Sequence, residues 1–164
     1  MHIGLRAAII VVAALAAASA AGAKPGFNGN VCGMVSAKQV TAIAGVSSKC
    51  TNAKPSRGPG SNIYVGNWAG LTPKSPTVQV TVAVYTDTGA FQLAKQNLMQ
   101  GLPGPPKKVA GIGASAYEAK GALAVGIHVT VGKYIAYISL NAIETPPKSA
   151  KVIEPLAKVV AARL

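Results

Sequence analysis

The strongest periodic pattern in the chain runs over residues 77–85, where Val78, Val80, Val82 and Val84 alternate with Gln79, Thr81 and Ala83. A period of two with one apolar and one polar face predicts a half-buried strand and puts the four valines in the core. Residues 63–69 predict the strand before it, joined to it through Pro73 and Pro76. Farther on, residues 112–118, 122–131 and 134–141 predict three more strands. Lys120-Gly121 and Gly132-Lys133 separate them, and short Gly-containing connections of this kind suit hairpins, so the three form an antiparallel meander. Along the middle one, Leu123, Val125, Ile127, Val129 and Val131 point one way, while Ala124, Gly126, His128 and Thr130 point the other.

Helical periodicity appears three times. Over residues 36–45, Ser36 and Gln39 make a capping box, Val35 can staple to Val40, and Gly45 supplies the stop. Residues 90–100 put Phe91, Ala94 and Leu98 on one face, and Gly101 ends them. Residues 148–164 carry Val152, Ile153, Leu156, Val159 and Val160 on one stripe. Pro155 interrupts that stripe; with no backbone donor, it predicts either a kink or a helix that begins just before it. Residues 54–60, rich in Pro, Gly and Ser, predict a loop. Residues 102–108, with Pro103, Pro105 and Pro106, predict a stiff connector that neither a helix nor a central strand tolerates. The fold class is therefore α+β: a mostly antiparallel sheet with helices packed on it, in two approximately duplicated strands-then-helix halves.

The N-terminus adds an address. Residues 1–6 are a short basic start, residues 7–18 are an apolar run, and Ala21-Gly22-Ala23 is the small-x-small pattern cut by signal peptidase. A spanning helix needs roughly 20 apolar residues, and this run is shorter and alanine-rich, which favours a cleaved signal peptide over residues 1–23 rather than a retained anchor. Cleavage after Ala20 would change little. Residues 24–164 then form a single α+β domain, secreted or held in the cell envelope or periplasm. Cys32 lies well past the apolar run and follows Asn30-Val31, so it makes no lipobox. Cys32 and Cys50 are the only cysteines, and in an oxidising compartment such a pair reads as a structural disulfide.

Removing the first 23 of 164 residues leaves 141, with 15 basic residues against Asp87, Glu118, Glu144 and Glu154, a net charge of +11. That charge favours encounter with anionic envelope polymers or lipid headgroups. Only Lys107 and Lys108 are adjacent, and basic and aromatic residues do not interleave, so no specific nucleic-acid site is expected. No pattern in the chain specifies an oligomeric state.

The run Cys32-Gly33-Met34-Val35-Ser36, a short helix ending at Gly45, Cys50, the segment Val109-Ala110-Gly111-Ile112-Gly113-Ala114-Ser115-Ala116-Tyr117, the two-hairpin meander and the apolar C-terminal helix together resemble a family of exported actinobacterial domains of unknown function. Many members are lipoproteins. The resemblance implies an exported domain and no catalytic residue; the missing lipobox points to release rather than tethering.

Candidate chemistry is sparse. Gly111-Ile112-Gly113-Ala114-Ser115-Ala116 fits the dinucleotide fingerprint G-x-G-x-x-A, yet it leads into a predicted strand and has no acid at the expected distance, so it reads as a glycine bend. Ser115 falls short of G-x-S-x-G, because Tyr117 holds the fifth position. His128 is the only histidine after the leader, too few for a metal site, and it reads as a packing or surface residue. The four acids fall in different elements, so spacing pairs none of them. No lysine has an obviously apolar setting. Trp68 and the tyrosines at 64, 85, 117, 134 and 137 are spread over four segments and make no stripe. The chain is expected to act as a non-catalytic binding or structural protein without cofactor, with polyanion binding, small-ligand binding or an undetected hydrolase as alternatives. The first place to look for a ligand is the sheet face carrying His128, Tyr137 and Ser139.

Overall fold

The valine strand lies in the middle of one eight-stranded sheet. The computed structural model describes residues 26–45, 48–70, 72 and 74–164; the leader and Pro73 lie outside the described residues. The elements are α1 (Ala37–Ala44), β1 (Lys49–Asn52), β2 (Ser56–Gly58), β3 (Ser61–Ala69), β4 (Thr77–Tyr85), α2 (Thr88–Gln96), β5 (Lys107–Val109), β6 (Ser115–Lys120), β7 (Ala124–Val131), β8 (Tyr134–Asn141) and α3 (Glu154–Arg163), the last preceded by a 3-10 turn, Ala150–Ile153. Their spatial order is β1-β3-β4-β8-β7-β6-β5, with β2 also pairing β3. All pairs are antiparallel. Strands followed by a helix occur twice, ending in α2 and α3, and the halves meet where β4 pairs with β8.

Register defines the two faces. Val78, Val80 and Val82 lie opposite Leu140, Ile138 and Ala136, which in turn lie opposite Val125, Ile127 and Val129. All nine are buried. On this face they pack with Val31, Met34, Val35, Val40, Trp68 and, from the C-terminal segment, Ile153, Leu156, Ala157 and Val160. Capping orients α1: Gln39 N donates to Ser36 Oγ at 3.2 Å and Ser36 N to Gln39 Oε1 at 2.9 Å. Gly45 closes the helix in the left-handed region, at φ 73°. The disulfide joins Cys32 to Cys50 across a Cα separation of 5.7 Å, so the chain before α1 is fastened to the edge strand β1.

The opposite face carries His128, Tyr137 and Ser139 and is crossed by the segment after α2. Gly101 lies beside His128, where a Cβ would fall 3.4 Å from Nε2, and Pro103 lies against Gly126, whose missing side chain makes room: a Cβ would fall 2.7 Å from Tyr137 Oη and 3.1 Å from Pro103 Cδ. The proline-rich connector thus serves as the cover of this face.

Several expected boundaries move. Residues 54–60 hold β2, which forms a tight hairpin with β3 through Pro59-Gly60, a turn dipeptide legible in the sequence. Beyond Pro106, residues 107–109 can donate backbone N–H groups and form the edge strand β5. Strand β6 begins at Ser115 rather than 112, because Gly111 and Gly113 take positive φ values of 75° and 58°. Helix α2 starts at Thr88, capped by Asp87, and stops at Gln96, short of Gly101. Leu123 is 49% exposed and Val152 36% exposed; the first precedes β7 and the second sits in the 3-10 turn, where the helical stripe does not apply. Of the two alternatives at Pro155, the structure takes the later start, with the proline in the first turn of α3.

Two measurements test this account. Reducing the Cys32–Cys50 bridge, an 18-residue separation, should lower the unfolding free energy by about 3 kcal/mol, read as a lower urea midpoint with unchanged far-UV dichroism. Ile138→Ala, at the centre of the core, should cost about 2–5 kcal/mol; a loss well under 1 kcal/mol would contradict the central position given to β8.

Candidate functional site

Strand pairing brings the three expected site residues together on one face, two of them with stacked rings. Tyr137 on β8 lies opposite His128 on β7, and their rings stack with centroids 4.6 Å apart and planes 28° from parallel. Ser139 lies two residues along β8 on the same face, opposite Gly126, and is buried. Burial draws the His128 pKa down from 6.5 to about 4, since a desolvated imidazole favours its neutral form. Neither ring nitrogen has a hydrogen-bond partner among the described residues. Burial also raises the Tyr137 pKa, opposed by its hydrogen bond with the Ser139 side chain. At neutral pH the arrangement is a neutral aromatic stack beneath the connector.

The other candidate motifs find structural places. Gly111 to Ala116 bends into β6, with Ala114 N donating to Thr130 O at 2.8 Å, so no helix N-terminus follows the glycines to receive a pyrophosphate. Among the described residues no three His, Cys, Asp or Glu side chains cluster as metal ligands. Glu118 is buried on the core side of β6, and its Oε2 has no hydrogen-bond partner among the described residues. Tyr64 and Tyr134 pack edge-on against Phe27, at centroid distances of 5.2 and 6.4 Å, and Tyr85 packs against Phe91. Lys49 and Arg57 are exposed on the edge strands β1 and β2, whereas Lys107 and Lys108 are exposed on β5 at the far edge. Charge at both edges discourages strand addition by another chain.

A larger concavity lies elsewhere. A cleft of about 680 Å³ opens between the C-terminal end of α1, the loop before β4 and the chain from β8 to the 3-10 turn. Its walls include Ile43, Leu140, Ala142, Pro147 and Val152. Leu140, Ala142 and Pro147 are buried, whereas Val152 stays open at the surface. Lys74 and Glu144 face each other from two of the bordering loops, with Nζ 3.3 Å from Oε1. Lys148 also lines the cleft and has no ion-pair partner among the described residues. His128, Tyr137 and Ser139 do not line it. No periodic pattern announces the cleft, because its walls come from three separate chain segments; the prolines at 76, 146 and 147 are the one local hint that the bordering loops are stiff.

Among the described residues no helix is long and apolar enough to cross a membrane. Compared with protein-family models, curated proteins and solved structures, the chain matches none.

The His128 stack has a pH signature. With the native pKa depressed below the unfolded value of 6.5, the unfolded chain binds the proton first as pH falls. The contribution of the neutral stack is therefore intact above pH 6.5 and is lost progressively down to about pH 4. Between pH 7 and pH 5 this amounts to about 2 kcal/mol. Urea midpoints of the wild type and His128→Leu at the two pH values should show the drop in the wild type and a clearly smaller one in the variant; equal drops would assign the pH dependence to other groups.

Proposed function

We propose that the chain is an exported, disulfide-bonded binding protein whose ligand occupies the cleft between α1, the loop before β4 and residues 142–149. The cleft carries the reading: its volume of about 680 Å³ falls within the roughly 300–1,000 Å³ of small-molecule sites, and an apolar interior with a few polar groups at its edge is the usual composition of such sites. The disulfide is compatible with an extracytoplasmic compartment, and the leader pattern supports export. The resemblance to exported actinobacterial domains, carried by short motifs, points the same way. A stacked, partly buried histidine whose ring nitrogens have no hydrogen-bond partner among the described residues, and so no hydroxyl to activate there, gives little support to a hydrolase reading. A second reading, attachment to anionic envelope polymers or lipid headgroups, is favoured by the net charge of +11 on the chain after residue 23 and would weaken steeply with salt.

Titration of the mature protein with the neutral apolar fluorophore N-phenylnaphthylamine should give saturable, salt-insensitive binding. Val152→Asp, which puts a charge on the exposed wall of the cleft, should weaken it by about 5- to 30-fold, the equivalent of roughly 1–2 kcal/mol of lost apolar contact, without shifting Tm. Undiminished binding by the variant would move the ligand elsewhere. Intact mass of the exported protein should correspond to a chain starting at Lys24 with no lipid, and alkylation should label the cysteines only after reduction; a retained leader would overturn the export part of the proposal.

A further inference from the structure

We propose, resting on the cleft reading above, that the ligand is a monomeric single-chain amphiphile with an anionic head, its chain against Ile43, Leu140 and Ala142 and its head at Lys148 and Lys74. The division of the walls motivates this: apolar side chains occupy the interior, while the charged side chains lining the cleft are Lys74, Glu144 and Lys148, with a net charge of +1. Lys74 is already paired with Glu144, whereas Lys148 has no acidic partner among the described residues. An apolar cleft with one unneutralised cation beside it matches a molecule with a hydrocarbon body and a single negative end.

The end of α1 sets the orientation. Ile43, Ala44 and Gly45 bring the helix C-terminus to the cleft, and the carbonyl groups there carry negative partial charge. An anionic head is repelled from that wall and drawn to the lysines, whereas a hydrocarbon chain is indifferent to the helix dipole. Glu144 competes with the ligand head for Lys74, so the same pair that ties two loops together also sets the selectivity for negative charge. Both partners are well exposed, 74% and 61% at the side chain, so exchanging Glu144 for a ligand carboxylate disrupts no packed core.

The test is displacement of N-phenylnaphthylamine by decanoate and by the neutral decanol, at low and high salt. Decanoate should displace the probe more effectively than decanol at low salt. Lys148→Glu should weaken decanoate by about fivefold, as expected for a surface charge pair, and leave decanol unchanged. Glu144→Gln should tighten decanoate, because Lys74 is released. Both positions are exposed, so the variants keep the fold, which an unchanged Tm verifies. Equal displacement by the two ligands, unaffected by either substitution, would overturn the anionic head while leaving the apolar cleft standing. Saturable probe binding that neither ligand displaces would overturn the amphiphile. Absence of probe binding would overturn the cleft itself. Binding confined to anionic vesicles, with no displacement by monomeric decanoate, would overturn the proposal in favour of a charged membrane-facing surface.

Discussion

The pairing of β4 with β8 is the constraint on which the rest of the structure depends. The two strands are separated by about fifty residues of chain, yet they pair along eight positions, from Thr77 opposite Asn141 to Val84 opposite Tyr134. This contact turns two local sets of strands into one sheet and aligns three columns of apolar side chains from β4, β8 and β7. A one-residue slip would turn Val78, Val80 and Val82 to the opposite face and put Gln79 and Thr81 into the core, so burial of that face fixes the register. The long-range contact costs chain entropy to form, and the buried valines, Ile138 and Leu140 offset it through apolar area removed from water.

Once the sheet is fixed, its two faces are treated differently. The face with the large aliphatic residues receives α1, the disulfide-tethered chain before it and the C-terminal helix. The other face, with Gly126, His128, Tyr137 and Ser139, is covered instead by the bend-rich segment around Pro103. Gly126 is the point of closest approach, since any side chain would meet both Tyr137 and Pro103. His128, which reads from the sequence as a packing or surface residue, is a packing residue under this cover: burial lowers its pKa, and its stacking on Tyr137 is a cross-strand pair of the ordinary kind.

Much of the fold was legible because it rests on local rules. The capping box at Ser36 and Gln39, the glycine stop at Gly45, the Val78 to Val84 alternation and the hairpins around Gly121 and Gly132 each act within a few residues. Local rules give out where partners are distant. Residues 56–58 look like loop by composition and become a strand because the N-terminal half of β3 presents unpaired backbone groups; residues 107–109 join β6 for the same reason. Val152 matches a helical stripe, but the 3-10 geometry before Pro155 rotates it outward. The candidate site was the least legible part. The face of His128 could be read from strand alternation, whereas the cleft needs the end of α1, the loop before β4 and the segment after β8 to converge.

The sequence by itself determined the α+β class, most elements, the pairing of Cys32 with Cys50, the basic charge and the export pattern, because composition, periodicity and capping are properties of short stretches. Tertiary structure alone decided the strand order, the covering of the His128 face, the lowered pKa of that histidine and the position of the cleft. Those depend on which distant segments exclude water together, and no local pattern carries that information.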